Sequence, residues 1–456
     1  MIPPGAIAPE RPLPVPRMLI NRPVTGWVMY DFANSAYAVV ILAVIFNVWF
    51  AEVIAGGEAG TVLHLFGRTV TVPGVTVFSF VNSIALVLVA VASPLLGALA
   101  DFSGRKRRYL AIAWMMGVLS TGWISFFGAG DLLIVSVLFI LSNLGFAGGS
   151  VFYDAFLPEV SERGTEGRVS GLGYAAGYLG GGLLLVLIFV LKSQWPQFDF
   201  RWSFALTSLW WLIFAIPTFL WLPRKEPRPR RAGELGGYLK IGFRRVWHSL
   251  KHMRRLHTLR WFLLAYLIYG TGIETVIRLT SIFGAVELGM QQQQLVLFFL
   301  VIQGTALVGA MLFGWLADRF SNRRSLAISL SVWVLVLVWA WFLGVIWTPI
   351  QEFWLLGILA GVAMGGSQGV SRSLQSVILP EGMESEFFGF FTMSGRLANI
   401  LGMLTFGVVT WITGDMRTGI VSLLVFFVLG LLLLVLVSER RGRGEARQFL
   451  EELGEA

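Results

Sequence analysis

The sequence predicts an all-α membrane protein in which twelve transmembrane helices form two pseudo-symmetric six-helix bundles. Three observations predict it. Of the 456 residues, 56% are hydrophobic and only 13% charged, with a mean hydropathy of +0.74, whereas a soluble domain carries about a quarter charged residues. The apolar residues gather into twelve runs, each able to cross ~30 Å of hydrocarbon as a helix. The last six runs then repeat landmarks of the first six at a nearly constant offset.

Taken in order, residues 1–26 hold seven prolines and no apolar core, which reads as a disordered cytoplasmic arm with no cleavable signal peptide. The runs fall at roughly 27–54, 74–100, 109–128, 132–156, 169–191 and 203–222, an N-terminal bundle over 27–222. They resume at 261–283, 292–316, 326–347, 353–377, 388–412 and 418–437, a C-terminal bundle over 261–437. Backbone polar groups in lipid must bond within their own segment, so each run is a helix. The connector, 223–260, opens with the charged PRKEPRPRRAG. It continues so that Leu239, Phe243, Val246, Trp247, Leu250 and Met253 share one helical face opposite Lys and Arg. Such a helix lies on an anionic inner leaflet or binds a protein partner. Residues 438–456 form a cytoplasmic tail.

Placing both termini inside puts 28 of the 35 Lys and Arg on the cytoplasmic side and four outside; the other three, Arg278, Arg372 and Arg396, fall within spans. That asymmetry fixes the orientation and accounts for the net charge of +9 without a nucleic-acid partner. The chain has no cysteine, which removes disulfides, thiolate metal sites and thiol nucleophiles. GGSQG at 365–369 fits a nucleophile-elbow pattern but lies in an apolar helix, and the four histidines (His64, His248, His252, His257) lie in loops; the elbow needs a strand-to-helix turn and a histidine base. Zinc-protease and phosphate-loop motifs are missing. The sequence therefore predicts neither an enzyme nor a cofactor or metal site.

The repeat is specific. GALADFSGRKRR (97–108) aligns without a gap on GWLADRFSNRRS (314–325), placing Asp101 on Asp318, and Gly148-Gly149-Ser150 recurs as Gly365-Gly366-Ser367. Each pair falls in spans of one direction, the parallel arrangement of carriers that rock around a central site. The G-x-L-A-D-x-x-G-R-K/R pattern and its echo resemble the signature loop of the major facilitator superfamily. YDFANSAYA (30–38), FLPE (156–159) and SRSLQ…LPE…FFGFF…SGR (371–396) resemble, more narrowly, the vacuolar amino-acid effluxer-like permeases. The family pattern has Asp-Gly after the tyrosine of span 7; this chain reads Tyr269-Gly270-Thr271-Gly272.

The resemblance implies a latch at the loop motif that stabilises one conformation of the rocking pair, with Gly97, Asp101, Arg105, Lys106, Asp318 and Arg323 as its members. A loop this short can set its acid at the positive amino end of a neighbouring helix and its bases on carboxylates or lipid phosphate. Asp31 lies about 6 Å into span 1 at 1.5 Å per residue; with Asn34 it lines an inner mouth, or it complements the dipole of its own first turn. Glu274 lies about 20 Å into span 7, where a lone charge costs about 2.5–3.5 kcal/mol. Arg278 is its i+4 neighbour in the favourable acid-first order, which predicts either a direct coupling pair or a structural one. Arg396 reads as an anchor for a carboxylate of the substrate, of Asp31 or of Glu274. Asp154 and Arg372 are gate candidates, and Asn82, Asn143, Gln303, Gln368 and Asn399 are liners or interhelical amide bridges. Gly173, Gly177 and Gly181 let span 5 slide on its opposite number or simply pack.

Together these residues predict a monomeric secondary transporter in a bacterial cytoplasmic membrane, contacting anionic lipids. The resemblance implies a small organic solute, an amino acid or similar zwitterion, with protons as the candidate coupling ion. The 36 Phe, 18 Trp and the basic connector keep a lipid or amphiphile translocator open as the alternative.

Overall fold

The computed structural model describes residues 20–65, 68–224, 246, 247, 249, 251 and 253–452. The amino-terminal arm and most of the predicted amphipathic connector, including Leu239, Phe243 and Leu250, lie outside the described residues. In the first half α1 is Arg22–Tyr37, α2 Phe46–Trp49, β1 Thr61–Leu65, β2 Arg68–Val72, α3 Gly74–Ser103, α4 Lys106–Ile124 and α5 Leu132–Asp154. It ends with α6 Leu157–Val160, α7 Glu166–Gln194, α8 Trp202–Phe214 and α9 Ile216–Trp221. In the second half α10 is His257–Val286, α11 Gln292–Arg319, α12 Asn322–Trp341, α13 Pro349–Ile378, α14 Glu384–Thr413, α15 Met416–Ser422, α16 Leu424–Leu434 and α17 Glu439–Glu452. Eleven of the described helical stretches are long and apolar enough to cross a membrane; α4, which opens on Lys106, Arg107 and Arg108, fills the place of the twelfth predicted span.

Local chemistry sets the ends. Asn21 Oδ1 caps α1 through Val24 N–H at 2.9 Å, and Thr348 and Gln351 form a reciprocal capping box behind Pro349 at the start of α13, each satisfying amides that the helix leaves bare. Gly104 ends α3 with φ 64°, a left-handed turn that glycine takes without strain.

Three features depart from the sequence reading. Span 1 is not uniform: Ala38–Val44 and Phe50–Ile54 are π-helical, marked by Ile45 N–H to Val40 O and Ala55 N–H to Phe50 O. The first outer loop holds the antiparallel hairpin β1–β2, with Thr61 opposite Val72. The tail carries α17, which packs on α13 and α10 with Phe449 3% exposed. Its Glu439 accepts from Asn322 Nδ2 and Arg323 N–H at the start of α12, and its Glu445 accepts from Thr258 N–H at the start of α10.

Each half has its own core. Trp27, Phe46, Phe139 and Trp211 anchor the first; Phe262, Phe298, Trp333 and Phe427 anchor the second. Within lipid, helices are drawn together by close packing more than by water exclusion, so small residues mark the contacts. Between the halves, a Cβ on Gly97 would overlap the Ser385 carbonyl and one on Gly389 the Ser93 carbonyl, so α3 and α14 touch backbone to backbone. Gly171 on the Ala310 carbonyl does the same for α7 and α11. The glycine stripe of α7 packs mainly within its own bundle, the packing reading of that spacing: Gly177 and Gly181 meet Ser35 of α1 and Val39 just beyond it, and Gly173 meets Trp27, Asp31 and, across the boundary, Arg372.

Candidate functional site

All cross-bundle hydrogen bonds and ion pairs among the described residues come from the halves of the helices nearer the face that carries the basic α3–α4 and α11–α12 loops. We call it the basic face. Its seal centres on Arg372 of α13, 2% exposed. Arg372 Nη1 donates to Asp31 Oδ2 of α1 at 2.9 Å and to Asp154 Oδ1 of α5 at 3.2 Å; Nε and Nη2 donate to the Ser170 hydroxyl and carbonyl of α7. The guanidinium also lies over the rings of Tyr174 and Trp27, at 4.1 and 4.6 Å from their centroids. A buried cation needs such a complete shell, because losing one partner of a buried pair costs about 3–5 kcal/mol. Every partner of this one belongs to the other bundle.

Two repeat-related caps flank the seal. Asp101, at the end of α3, accepts from Ser385 and Glu386 N–H at the start of α14, at 3.2 and 2.8 Å. Asp318, at the end of α11, accepts from Gly167 and Arg168 N–H at the start of α7, at 2.7 and 3.0 Å, and pairs with Arg168 Nε at 2.8 Å. Both acids thus sit on the positive amino end of a helix from the opposite bundle. Lys106 Nζ bridges Glu159 at 2.8 Å and Glu384 at 3.4 Å. Arg105 makes no ion pair among the described residues, and Arg323 contributes only its backbone N–H, to Glu439.

Deeper between the bundles lies a second polar group. Asn399 of α14 donates to Glu274 Oε2 at 3.3 Å and accepts from Arg278 Nε at 2.7 Å. The expected direct Glu274–Arg278 pair is therefore absent among the described ion pairs, because the amide of a neighbouring helix reaches between them. Arg396 is half-buried and makes no ion pair or hydrogen bond among the described residues. It is near enough to Tyr37 of α1 across the boundary, and to Glu274 and Arg278 in its own bundle, to interact electrostatically with each. Glu274 likewise acts on Tyr174 and Tyr178 of α7, so both charges face the space between the bundles rather than lipid.

Asp31, one of the carboxylates open to Arg396 on sequence grounds, is engaged by Arg372 instead. Between the bundles, Tyr178 OH donates to Gln368 Oε1 across the boundary at 2.6 Å, and Tyr266 stacks on Phe391 at 3.9 Å. Asn34 and Asn143 are buried with side-chain oxygens that accept no hydrogen bond among the described residues. Sequence reasoning missed Ser170, Trp27, Tyr174 and Tyr178; the aromatic residues had a faint signal in their spacing within the spans, and Ser170 had none.

Two six-helix repeats, closed on one face by reciprocal acid caps and enclosing ionic side chains at mid-depth, define a major facilitator superfamily transporter, a multi-pass integral membrane protein and not an enzyme. The fold is similar to a bacterial homologue of the iron transporter ferroportin in an outward-facing state, with TM-score 0.65 and 15% identity over 91% of this chain and 98% of that one. It is as similar to the human organic anion transporter MFSD10, at TM-score 0.65 and 17% identity over 92% and 100%. The chain belongs to the vacuole effluxer Atg22-like family, whose model matches residues 21–447. Relatives include the MFS-type transporter YxiO of Bacillus subtilis, 29% identical over 93% of this chain and 96% of its own length. Autophagy-related protein 22 of Eremothecium gossypii is 26% identical over 94% and 93%.

Proposed function

We propose that this protein is a secondary active transporter of a small zwitterion, an amino acid or close analogue, which rocks its two bundles so that the chamber meets each side of the membrane in turn. The observation that supports it most is the proximity of two mid-depth charges: Arg396, and Glu274, whose one hydrogen bond among the described residues comes from the Asn399 amide. A substrate carboxylate has a guanidinium to bind bidentately, and a substrate ammonium has a carboxylate. Asn399 lets Glu274 and Arg278 separate at the cost of amide bonds, not of a salt bridge. Asp31, whose guanidinium partner belongs to the other bundle, and Glu274 are the candidate proton carriers.

The test is counterflow in proteoliposomes with labelled amino acids, lysolipids and cationic drugs, with and without a pH gradient. Arg396→Gln raises KM for the zwitterion about 10- to 100-fold, the equivalent of about 1.5–3 kcal/mol for a hydrogen bond to a charged group. Glu274→Gln abolishes stimulation by the gradient. Zwitterion flux unchanged in both variants, or flux confined to lysolipids, overturns the reading.

A further inference from the structure

At the edge of the basic face, outside the chamber and the seal, a cleft of about 660 Å³ opens where α4, α9 and the start of α14 meet. That volume suits a small ligand or a lipid headgroup. Its lining includes Arg105, Arg107, Arg108 and Arg224 together with Trp114 and Phe219, whose rings are tilted by 36° with centroids 4.6 Å apart. None of the four arginines forms an ion pair among the described residues. Arg107 spends one N–H on the Leu222 carbonyl and lies close enough to Arg224 for the two charges to repel. The carboxylates of the inner wall are already engaged, Asp101 by the α14 amides and Glu159 and Glu384 by Lys106. The cleft therefore concentrates positive charge that nothing described in the chain neutralises.

The internal repeat says what is missing. Arg105 and Lys106 at the start of α4 correspond to Asn322 and Arg323 at the start of α12. There the chain supplies its own anion: Glu439 of α17 accepts from the Asn322 side chain and the Arg323 N–H at 3.3 and 3.0 Å, and the Ser321 hydroxyl caps the helix. The start of α4 has no side-chain cap, although an amino-terminal turn attracts anions through its bare N–H groups and dipole.

We infer that the cleft binds the phosphate-bearing headgroup of an anionic phospholipid. The guanidinium groups and the α4 amino terminus take the phosphate, and Trp114 and Phe219 take the glycerol and first methylenes. A lipid fits better than a soluble phosphate ester because the lining descends into the membrane: Ala111 and Trp114 lie about 7 and 12 Å along α4. Ile112, Met115 and Leu220 on the same two helices are exposed apolar side chains. Gly382 and Glu384 of the other bundle complete the wall, so the full site exists only while the basic face is closed. A ligand that binds one state better shifts the equilibrium toward it, and the anionic lipid thereby holds this face shut.

The experiment uses the full chain in nanodiscs of phosphatidylglycerol and phosphatidylcholine. Native mass spectrometry is expected to show retained phosphatidylglycerol on the parent protein and at least a tenfold loss in the combined Arg105→Gln, Arg107→Gln and Arg224→Gln variant. The corresponding Arg→Lys variant and Arg319→Gln/Arg324→Gln retain the lipid. As a readout that needs no variant, backbone amides of residues 105–109 in the parent protein exchange at least fivefold more slowly in phosphatidylglycerol than in phosphatidylcholine discs. Undiminished phosphatidylglycerol on the triple Gln variant overturns the inference. So does equal protection of those amides by phosphatidylcholine or by soluble glycerol 1-phosphate.

Discussion

At the α3–α14 junction Asp101 caps two amides, while Glu159 and Glu384 close by share the ammonium of Lys106. At the repeat-related α11–α7 junction Asp318 caps two amides and carries its own countercharge, Arg168, from the helix it caps. The sterics are duplicated, since glycines bring backbone against backbone in both places. The charges are not. One junction is an acid-rich group bridged by a lysine from the adjacent helix; the other pairs its acid with an arginine of the helix it caps. A repeated fold thus preserves the close approach of helices more strictly than the distribution of charge around it.

Five substitutions in three groups probe this contrast, each read as the distance between spin labels at positions 163 and 381. Arg163 and Glu381 form a cross-bundle pair at 3.4 Å that is 82% and 84% exposed, and exposed pairs contribute little, so labelling there perturbs closure weakly. Lys106→Met has the largest expected effect: it removes the ammonium that links Glu159 of one bundle to Glu384 of the other and takes about 3–5 kcal/mol from closure, so the short-distance population disappears. If that population persists, Lys106 is not what holds the α3–α14 junction.

Gly97→Ala and Gly171→Ala come next, each costing closure about 1–3 kcal/mol through overpacking. Their effects are expected to match, because the steric plan is shared; a strong mismatch breaks the claim of duplicated sterics. The smallest effects separate the acids. Asp318→Asn breaks the Arg168 pair and costs about 1–2 kcal/mol, within the range for a lost bond to a charged group. Asp101→Asn costs less, since Asp101 has no ion pair among the described residues and the substitution weakens only its caps on the Ser385 and Glu386 N–H groups. A larger loss for Asp101→Asn reverses the comparison.

Much of the fold was legible because hydropathy reports which segments lie in lipid and the gapless repeat reports how they pair. The caps were legible for the same reason: Asp101 and Asp318 sit at fixed places past helix ends, where few neighbours are within reach. The seal was legible only in part. Depth along a helix places Asp31, Asp154 and Arg372 near one face, but which way each side chain turns depends on helix rotation and tilt, which one sequence does not encode in a periodic way. The same gap hid Asn399: the i+4 rule puts Glu274 and Arg278 on one face of α10 but cannot see an amide entering from α14. The hairpin had a faint signal in the alternation of RTVTV, and α17 had its spacing of Gly442, Ala446 and Phe449, both overshadowed by the stronger signal of the spans.

The two wide turns of the first span change where its outer half points. Each residue in a regular α-helix advances the azimuth by about 100°, and a π turn absorbs one residue more per loop of hydrogen bonds. Phe46, beyond the first π stretch, stacks on Phe139 at 4.8 Å, while Asp31, before it, faces Arg372. The π winding is what allows a single rod to address both an ionic lock at one end and a ring cluster at the other, so rewinding it to α geometry rotates one end out of phase with the other.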